Sequence, residues 1–425
     1  MPAEAASGNP FDPAQPTPPF AGRDALFARV HQHLTGAPVT HALLFLGRRR
    51  SGRTAFLRAL RTRLDDSFIG LDLTLTPSVL ASESAFWWMV WESGKLAAAG
   101  RGLSVHRLPH WPDDKSSSDQ RKWLIERGLP ELYQLIRPHR RLVLMIDNAE
   151  PLADAVIRGD LPPDFGEAIG RMFGPQLGMI LSGHLDAEAR LRHLAPLIDP
   201  DFTVRLTALT LEGVTDLLSS GRDRSEAGFA AALHRASGGA PELTLRAAAL
   251  IHDISRGEYY RAEHIRAVMS DLLLWARPGF TLLWENLTTD EQAVLTALAY
   301  LRFDQPDKPI QAEQLEAWLA DTEYPLDLTA IFSLLRRLEF VEIIDHAHRD
   351  VRIRSGVFEQ WVRETVRPNH LRRVSASSAS AQIDPKIVRY ALIGLGVLLL
   401  ILLAAILLST PGGGGEAIST VVFGG

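Results

Sequence analysis

Apolar positions along the chain follow two periodicities, and these alternate through its first half. Residues 24–34 repeat apolar side chains at Leu26, Val30 and Leu34, the spacing of one helix face. Residues 41–46 then run almost wholly apolar, as in a strand buried on both sides. Residues 47–54 break the pattern with glycine and arginine, and 55–64 return to helical spacing through Phe56, Leu57 and Leu60. Further apolar strands are expected at 68–75, 141–147 and 177–182. Helices at 84–99, 123–134 and 165–172 separate them, with a loop at 105–118. Such alternation predicts an α/β fold, a mainly parallel sheet covered on both faces.

From residue 210 the strand pattern stops. Helical spacing at 211–218, 228–236 and 241–252 predicts a small helical subdomain. Helices follow at 290–300, 310–319 and 328–338, the first with Thr289 as its cap. Extended runs at 340–344 and 351–353 are expected to pair as a hairpin. Three helices and a hairpin have the outline of a winged-helix domain.

Residues 391–408 form eighteen consecutive positions without a charge or strong polar group. With Tyr390, Ser409 and Thr410 added, a helix here is roughly 30 Å long, the thickness of a hydrocarbon core. A buried soluble helix is the alternative, but it needs apolar partners around its whole circumference. Lys386 and Arg389 stand before the run and only Glu416 after it. The positive-inside rule therefore predicts one membrane crossing, with the bulk of the chain cytoplasmic and a Gly-rich tail of fifteen residues across the membrane.

Composition narrows the classes. The chain has 425 residues, of which 46% are hydrophobic and 22% charged, enough for more than one globular core. A net charge of −5 argues against a generally basic nucleic-acid binder, though it is compatible with a local basic patch. Without cysteine there are no disulfides, thiolate zinc sites or cysteine nucleophiles. The first twenty residues hold six prolines and no apolar h-region, so they read as a flexible leader rather than a signal peptide.

The chemistry concentrates at Gly47-Arg-Arg-Arg-Ser-Gly52-Arg53-Thr54, which fits G-x-x-x-x-G-K-[ST] with arginine for lysine. Strand, glycine loop and helix occur in the order a P-loop requires. The glycines let backbone N–H groups curl around phosphate, and the next helix offers its N-terminal amides. Thr54 is the expected hydroxyl ligand of Mg²⁺. Arg53 keeps the charge but replaces a compact ammonium by a planar fork. Asp147, at the end of an apolar strand, is the expected Mg²⁺ carboxylate, with a simple helix cap as the alternative. Beside it stands Asn148, which cannot act as a general base; Glu150 is the nearest substitute. Ser182, at a later strand tip, is a candidate contact for the γ-phosphate or attacking water, or a plain strand terminus. Phe86, Trp87, Trp88 and Trp91 read as a packing face before a ligand platform. His184 and His193 have no metal-ligand companion at convincing spacing.

Phe20-Ala-Gly22-Arg23, Gly47 to Thr54 and the strand ending in Asp147 together resemble the AAA+ and STAND group of P-loop ATPases. The branch they resemble is that of origin-recognition and replication-initiator ATPases. The resemblance implies ATP as ligand, Gly22 and Arg23 beside the adenine, Ser182 as the polar sensor-1 residue, and a helical lid. Ser237-Gly-Gly-Ala-Pro241 is similar to that lid's Gly-Gly-x-Pro element, which implies Pro241 near the base or phosphates. No arginine finger is assigned; Arg158, Arg171 and Arg190 are candidates that also read as ordinary surface residues.

The organisation expected is a flexible Pro-rich leader (1–19), a P-loop nucleotide-binding domain (20–208), a helical lid (209–284) and a winged-helix-like domain (285–368). A linker (369–386), a transmembrane helix (387–410) and a short tail (411–425) follow. The leading functional expectation is a membrane-anchored ATP-binding switch for signalling or assembly, with weak or regulated hydrolysis and a protein partner or second copy. One alternative is a membrane-tethered DNA-binding protein using Arg336, Arg337, Arg349, Arg352 and Arg354 on the winged helix. Nearby Glu313, Glu316, Asp321, Glu323, Glu339 and Glu342 favour a mixed-charge surface there. The other alternative is a non-hydrolysing scaffold whose P-loop has decayed at Arg53 and Asn148.

Overall fold

The computed structural model describes residues 9–12, 19–36, 41–64, 67–136, 141–172, 177–220, 224–305, 308–324, 326–347 and 350–367. In chain order the first half comprises α1 (Asp24–Thr35), β1 (Ala42–Gly47), α2 (Arg53–Arg63), β2 (Phe68–Leu73) and α3 (Glu83–Gly100). Then come α4 (Ser117–Trp123), α5 (Leu129–Ile136), β3 (Arg141–Ile146), α6 (Glu150–Arg158), α7 (Phe165–Gly170), β4 (Leu177–His184), α8 (Glu188–Leu191) and β5 (Ile198–Leu206). All five strands are parallel, in the order β2-β3-β4-β1-β5.

The strands are apolar throughout because both sheet faces are covered. Leu44 and Leu46 of β1, with Leu142, Leu144 and Ile146 of β3, face the core closed by α3, α5 and α6. Leu43, Phe45, Val143 and Met145 face the opposite core, closed by Val30 and Leu34 of α1 and Phe56, Leu57 and Leu60 of α2. Phe86, Trp87 and Trp91 are buried in the first core, as a packing face should be, while Trp88 points outward.

Several elements depart from the pattern expected. Residues 198–206, left without an element by the sequence, form β5. Its Pro200 is tolerated because β5 is an edge strand pairing only with β1, and the register shifts between Ala42 and Leu44. The helix expected from 123 starts at Ser117, where the Ser116 hydroxyl accepts from the Asp119 N–H; a π turn (Leu124–Gly128) joins α4 to α5. Residues 105–107 of the expected loop form a short 3₁₀ turn.

The second half continues with α9 (Leu211–Ser220), α10 (Phe229–Ser237), α11 (Pro241–Ser255), α12 (Ala262–Ala267) and α13 (Met269–Glu285). The last elements are α14 (Thr289–Asp304), α15 (Ala312–Asp321), α16 (Leu328–Phe340), β6 (Ile344–Ala347), β7 (Asp350–Ile353) and α17 (Gly356–Thr365). Thr288, not Thr289, caps α14, in a reciprocal box with Glu291. The hairpin lies later than expected, pairing Ile344 with Ile353, because Phe340 is still the last residue of α16. Lid and winged-helix-like unit share one hydrophobic core. It runs from Val214 and Phe229 through Leu272 and Ala276 of α13 to Leu335, Val357 and Val362. α13 falls within the expected lid, but no individual helix is expected there, since Pro278 interrupts its pattern.

The expectation of a flexible leader does not hold at residues 9–12. Asn9 opens a turn with Pro10 second: its side-chain oxygen accepts from the Phe11 N–H (2.9 Å) and its carbonyl from the Asp12 N–H (3.1 Å). The Asn9 amide donates to the Ala249 carbonyl (2.8 Å) and to Asp253 (2.7 Å) on α11. Phe11 is fully buried in the lid core, edge-on to His252 and Tyr260. The expected membrane helix at 387–410 lies outside the described residues; among those described, no helix is long and apolar enough to cross a membrane.

Truncating a fully buried phenylalanine costs about 3–5 kcal/mol. Phe11→Ala is therefore expected to lower the chemical-denaturation midpoint of the second-half core. A midpoint equal to wild type would mean that residues 9–12 add nothing to that core.

Candidate functional site

Strand β1 ends at Gly47 and α2 begins at Arg53, so residues 48–52 form the connecting loop at the carboxyl edge of the sheet. Gly52, the residue before α2, has φ 85°, a conformation that L side chains adopt rarely. A Cβ built there lies 3.7 Å from the ring of Pro241. Arg50 holds φ 69° without being glycine; left-handed backbone at such a residue costs roughly 1–2 kcal/mol. The loop leads into the first amides of α2, a ready anion cradle. The Arg53 guanidinium is mostly buried: its Nη1 has no hydrogen-bond partner and stands 3.7 Å from Glu150. A mostly buried cation with one nitrogen lacking a hydrogen bond at this position suits a bound anion.

Because β4 is inserted between β1 and β3, three elements converge on Asp147, the residue just after β3. The Thr54 hydroxyl donates to one carboxylate oxygen (2.5 Å), and the fully buried Ser182 hydroxyl donates to the other. Ser182 Oγ also accepts from the Asn148 N–H (3.2 Å), and its carbonyl accepts from the Ala149 N–H (2.8 Å). Asp147 does not cap α6, whose N-cap is Ala149. Thr54 and Asp147 can supply a hydroxyl and a carboxylate to Mg²⁺. No set of three acidic or histidine ligands occurs among the described residues. Most of a Mg²⁺ shell would come from phosphate and water, the usual arrangement for that ion.

Asn148 has φ 60° and an exposed side chain. Asparagine is among the few residues that visit this conformation readily. Glu150, in the first turn of α6, is buried. One of its oxygens accepts the His184 N–H and faces Arg53; the other has no hydrogen-bond partner. The His184 ring accepts the Arg49 N–H through Nε2 (3.2 Å), and its Nδ1 lies against the Asp186 N–H (3.4 Å) and carboxylate (3.2 Å).

Gly22 and Arg23 brace the loop from behind. At φ 70°, Gly22 presses on α9: a Cβ there would lie 2.6 Å from the Gly213 Cα. The buried Arg23 guanidinium donates to the carbonyls of Thr207 (2.5 Å) and Ser51 (3.4 Å). Burial lowers its pKa, against the raising effect of Glu342. Arg48 is lowered likewise by burial, with Glu342 and Asp186 opposing. Both stay protonated at neutral pH, since arginine starts from so high a value. Glu342, in the turn between α16 and β6, also accepts from the Ala208 N–H (3.2 Å) and from Arg354 (3.1 Å). In the sequence it stands among the acids of a mixed-charge stretch, and no spacing marks it as a partner of the loop. A cavity of about 600 Å³ opens where loop, lid and winged-helix-like unit meet. Arg48, Ser51, Pro241, Trp275, Phe280 and Arg354 are among its walls.

The remaining candidates are engaged elsewhere. Arg158, Arg171 and Arg190 make surface ion pairs with Asp160, Glu167 and Asp154. On the winged-helix-like unit, Arg337 pairs with Glu291, Arg352 approaches Asp345 at 4.0 Å, and Arg354 binds Glu342 and Asp345. Arg349 lies outside the described residues.

No protein-family model matches the chain, and no curated protein matches it. Among solved structures it is similar to a Walker-type ATPase of Pyrococcus abyssi, with 14% identity and a TM-score of 0.52, covering 83% of this chain and 99% of that one. Cdc6p of Pyrobaculum aerophilum is 14% identical with a TM-score of 0.39, covering 84% of this chain and 98% of that one. The Drosophila ORC bound to DNA gives 13% identity and 0.39, over 86% and 94%. At these identities the first likeness establishes the fold, a P-loop α/β domain followed by helical units.

Ser182→Ala removes a donor from Asp147 and an acceptor from Asn148, and should cost about 1–3 kcal/mol in chemical denaturation. Asn148→Gly, at a left-handed position, should be neutral within about 0.5 kcal/mol or slightly stabilising. The reverse order of the two variants would refute the hydrogen bonding described for this turn.

Proposed function

We propose that the chain is a nucleotide switch of the AAA+ and STAND kind, binding ATP with Mg²⁺ and hydrolysing it weakly. The observation that carries this reading is the convergence of Thr54, Asp147 and Ser182 beside a glycine loop followed by Arg53, whose mostly buried guanidinium keeps one nitrogen, Nη1, without a hydrogen bond. Gly47, Gly52 and Arg53 would hold the phosphates, Thr54 and Asp147 would hold Mg²⁺, and Pro241 and Arg23 would border the ligand. Bound Mg²⁺ would neutralise phosphate charge and orient the terminal phosphoryl group. The fold shared with the Pyrococcus Walker-type ATPase supports the assignment.

Weak turnover follows from the exposed amide of Asn148, where a carboxylate would otherwise accept a proton. Glu150 is the alternative base through its free oxygen, although its other oxygen is committed to the His184 N–H. We also propose that residues 387–410 tether the protein to a membrane, with residues 1–386 on the cytoplasmic side. Their uninterrupted apolar character and the basic residues before them support this. A protein partner or second copy would read the state of the lid.

Equilibrium binding of ATP to the full chain should require Mg²⁺, and Asp147→Ala or Thr54→Ala should weaken it at least about tenfold, as expected for lost charge-assisted contacts. Asn148→Asp, which the left-handed backbone tolerates, should raise turnover toward the ~10²-fold lower range of general-base effects. Absence of binding to any nucleoside triphosphate with Mg²⁺ would transfer the assignment to a scaffold.

The membrane proposal is checked separately. Full-length protein should stay with vesicles through carbonate extraction, and protease added outside inverted vesicles should digest the bulk of the chain. Recovery in the soluble fraction without detergent would refute the tether.

A further inference from the structure

The three consecutive arginines of the glycine loop are not explained by phosphate binding, which uses the loop's backbone. Arg50 has the most unusual setting. It keeps a left-handed backbone at φ 69° although it carries a side chain. That side chain reaches into the lid. Its Nε lies 3.2 Å from the Glu242 carboxylate, in the first turn of α11. Its guanidinium stands 5.0 Å from the centre of the Trp275 ring on α13. It also lies against the bare backbone of Gly279, where any Cβ would come within 2.8 Å of Nη1. Two residues on, Gly52 meets Pro241, the neighbour of Glu242. Loop residues 50 and 52 therefore hold the start of α11 from two sides.

Arg50 and Glu242 are each about two-fifths exposed, at 39% and 41%. An ion pair so open to water is weak, and a cation over an aromatic ring at an exposed site adds only modestly. These contacts oppose a strained backbone of similar magnitude. Such a balance is easily tipped by anything that draws on the loop amides, as an anion does. We propose that Arg50 is a positioning residue that couples phosphate occupancy of the loop to the placement of lid helices α11 and α13. The inference rests on the nucleotide-binding reading above and names its route of transmission. Because α13 lies in the core shared with the winged-helix-like unit, the signal reaches that unit through Trp275 and its neighbours.

Hydrogen exchange on the full-length protein tests this with and without MgATP, using wild type, Arg50→Gly and Glu242→Gln. Glycine adopts the Arg50 backbone readily, so the fold of the loop is kept. Without nucleotide, both variants should exchange faster than wild type in peptides from residues 241–255 and 269–285, by about threefold or more, and unchanged in β1 and β3. With MgATP, wild type should change its exchange in those lid peptides. Glu242→Gln should bind MgATP within about threefold of wild type yet lose most of that change. The nucleotide-free arm stands even if no nucleotide binds, in which case the binding reading fails on its own evidence. Equal exchange of all three proteins without nucleotide would overturn the contact. A full lid response in Glu242→Gln and Arg50→Gly would overturn the coupling.

Discussion

The carboxylate of Asp147 ties together elements that the sequence separates widely. Thr54 from the start of α2 and Ser182 from β4 each donate to one of its oxygens, across sequence separations of 93 and 35 residues. The insertion of β4 between β1 and β3 is what brings Ser182 to Asp147 alongside Thr54. Hydrogen bonds to a charged acceptor are stronger than neutral ones, and here they also fix the turn that carries Asn148. Thr54, Ser182, Asp147 and the turn leading into α6 are thus held in one frame.

That frame explains the two departures from the usual motif as local structure. Arg53 sits where its fork faces Glu150 as an ion pair at 3.7 Å, and its Nη1 closes no hydrogen bond. Asn148 occupies a left-handed position, in which asparagine is at ease and glutamate is strained. The amide suits the backbone as much as it alters the chemistry.

The central strands and the glycine loop were legible because their signals are local. A strand buried on both sides is apolar at every position, and Gly47, Gly52 and Thr54 stand at fixed spacing. The edge strand β5 was not legible: one face of its pairing is missing, and Asp199, Pro200 and Asp201 make it read as a loop. Helix α13 was hidden by Pro278. Within the site, Asp147, Ser182 and Arg53 were legible. The supports contributed by His184 and Glu342 were not, since each acts through a contact spanning more than a hundred residues, to Arg49 and Ala208. Phe11 escaped notice because one aromatic among prolines carries no periodicity.

The undivided core beyond residue 209 bears on how such a chain is inherited. Lid and winged-helix-like unit bury their side chains against each other through α13 and α17. A recombination event that exchanged one and kept the other would expose apolar surface on both. The segment around Thr207 and Ala208 joins the sheet to this core, which Phe11 from the other end of the chain also fills. Module replacement with its seam there would strip Phe11 of its pocket unless residues 9–12 were exchanged with the module they dock on.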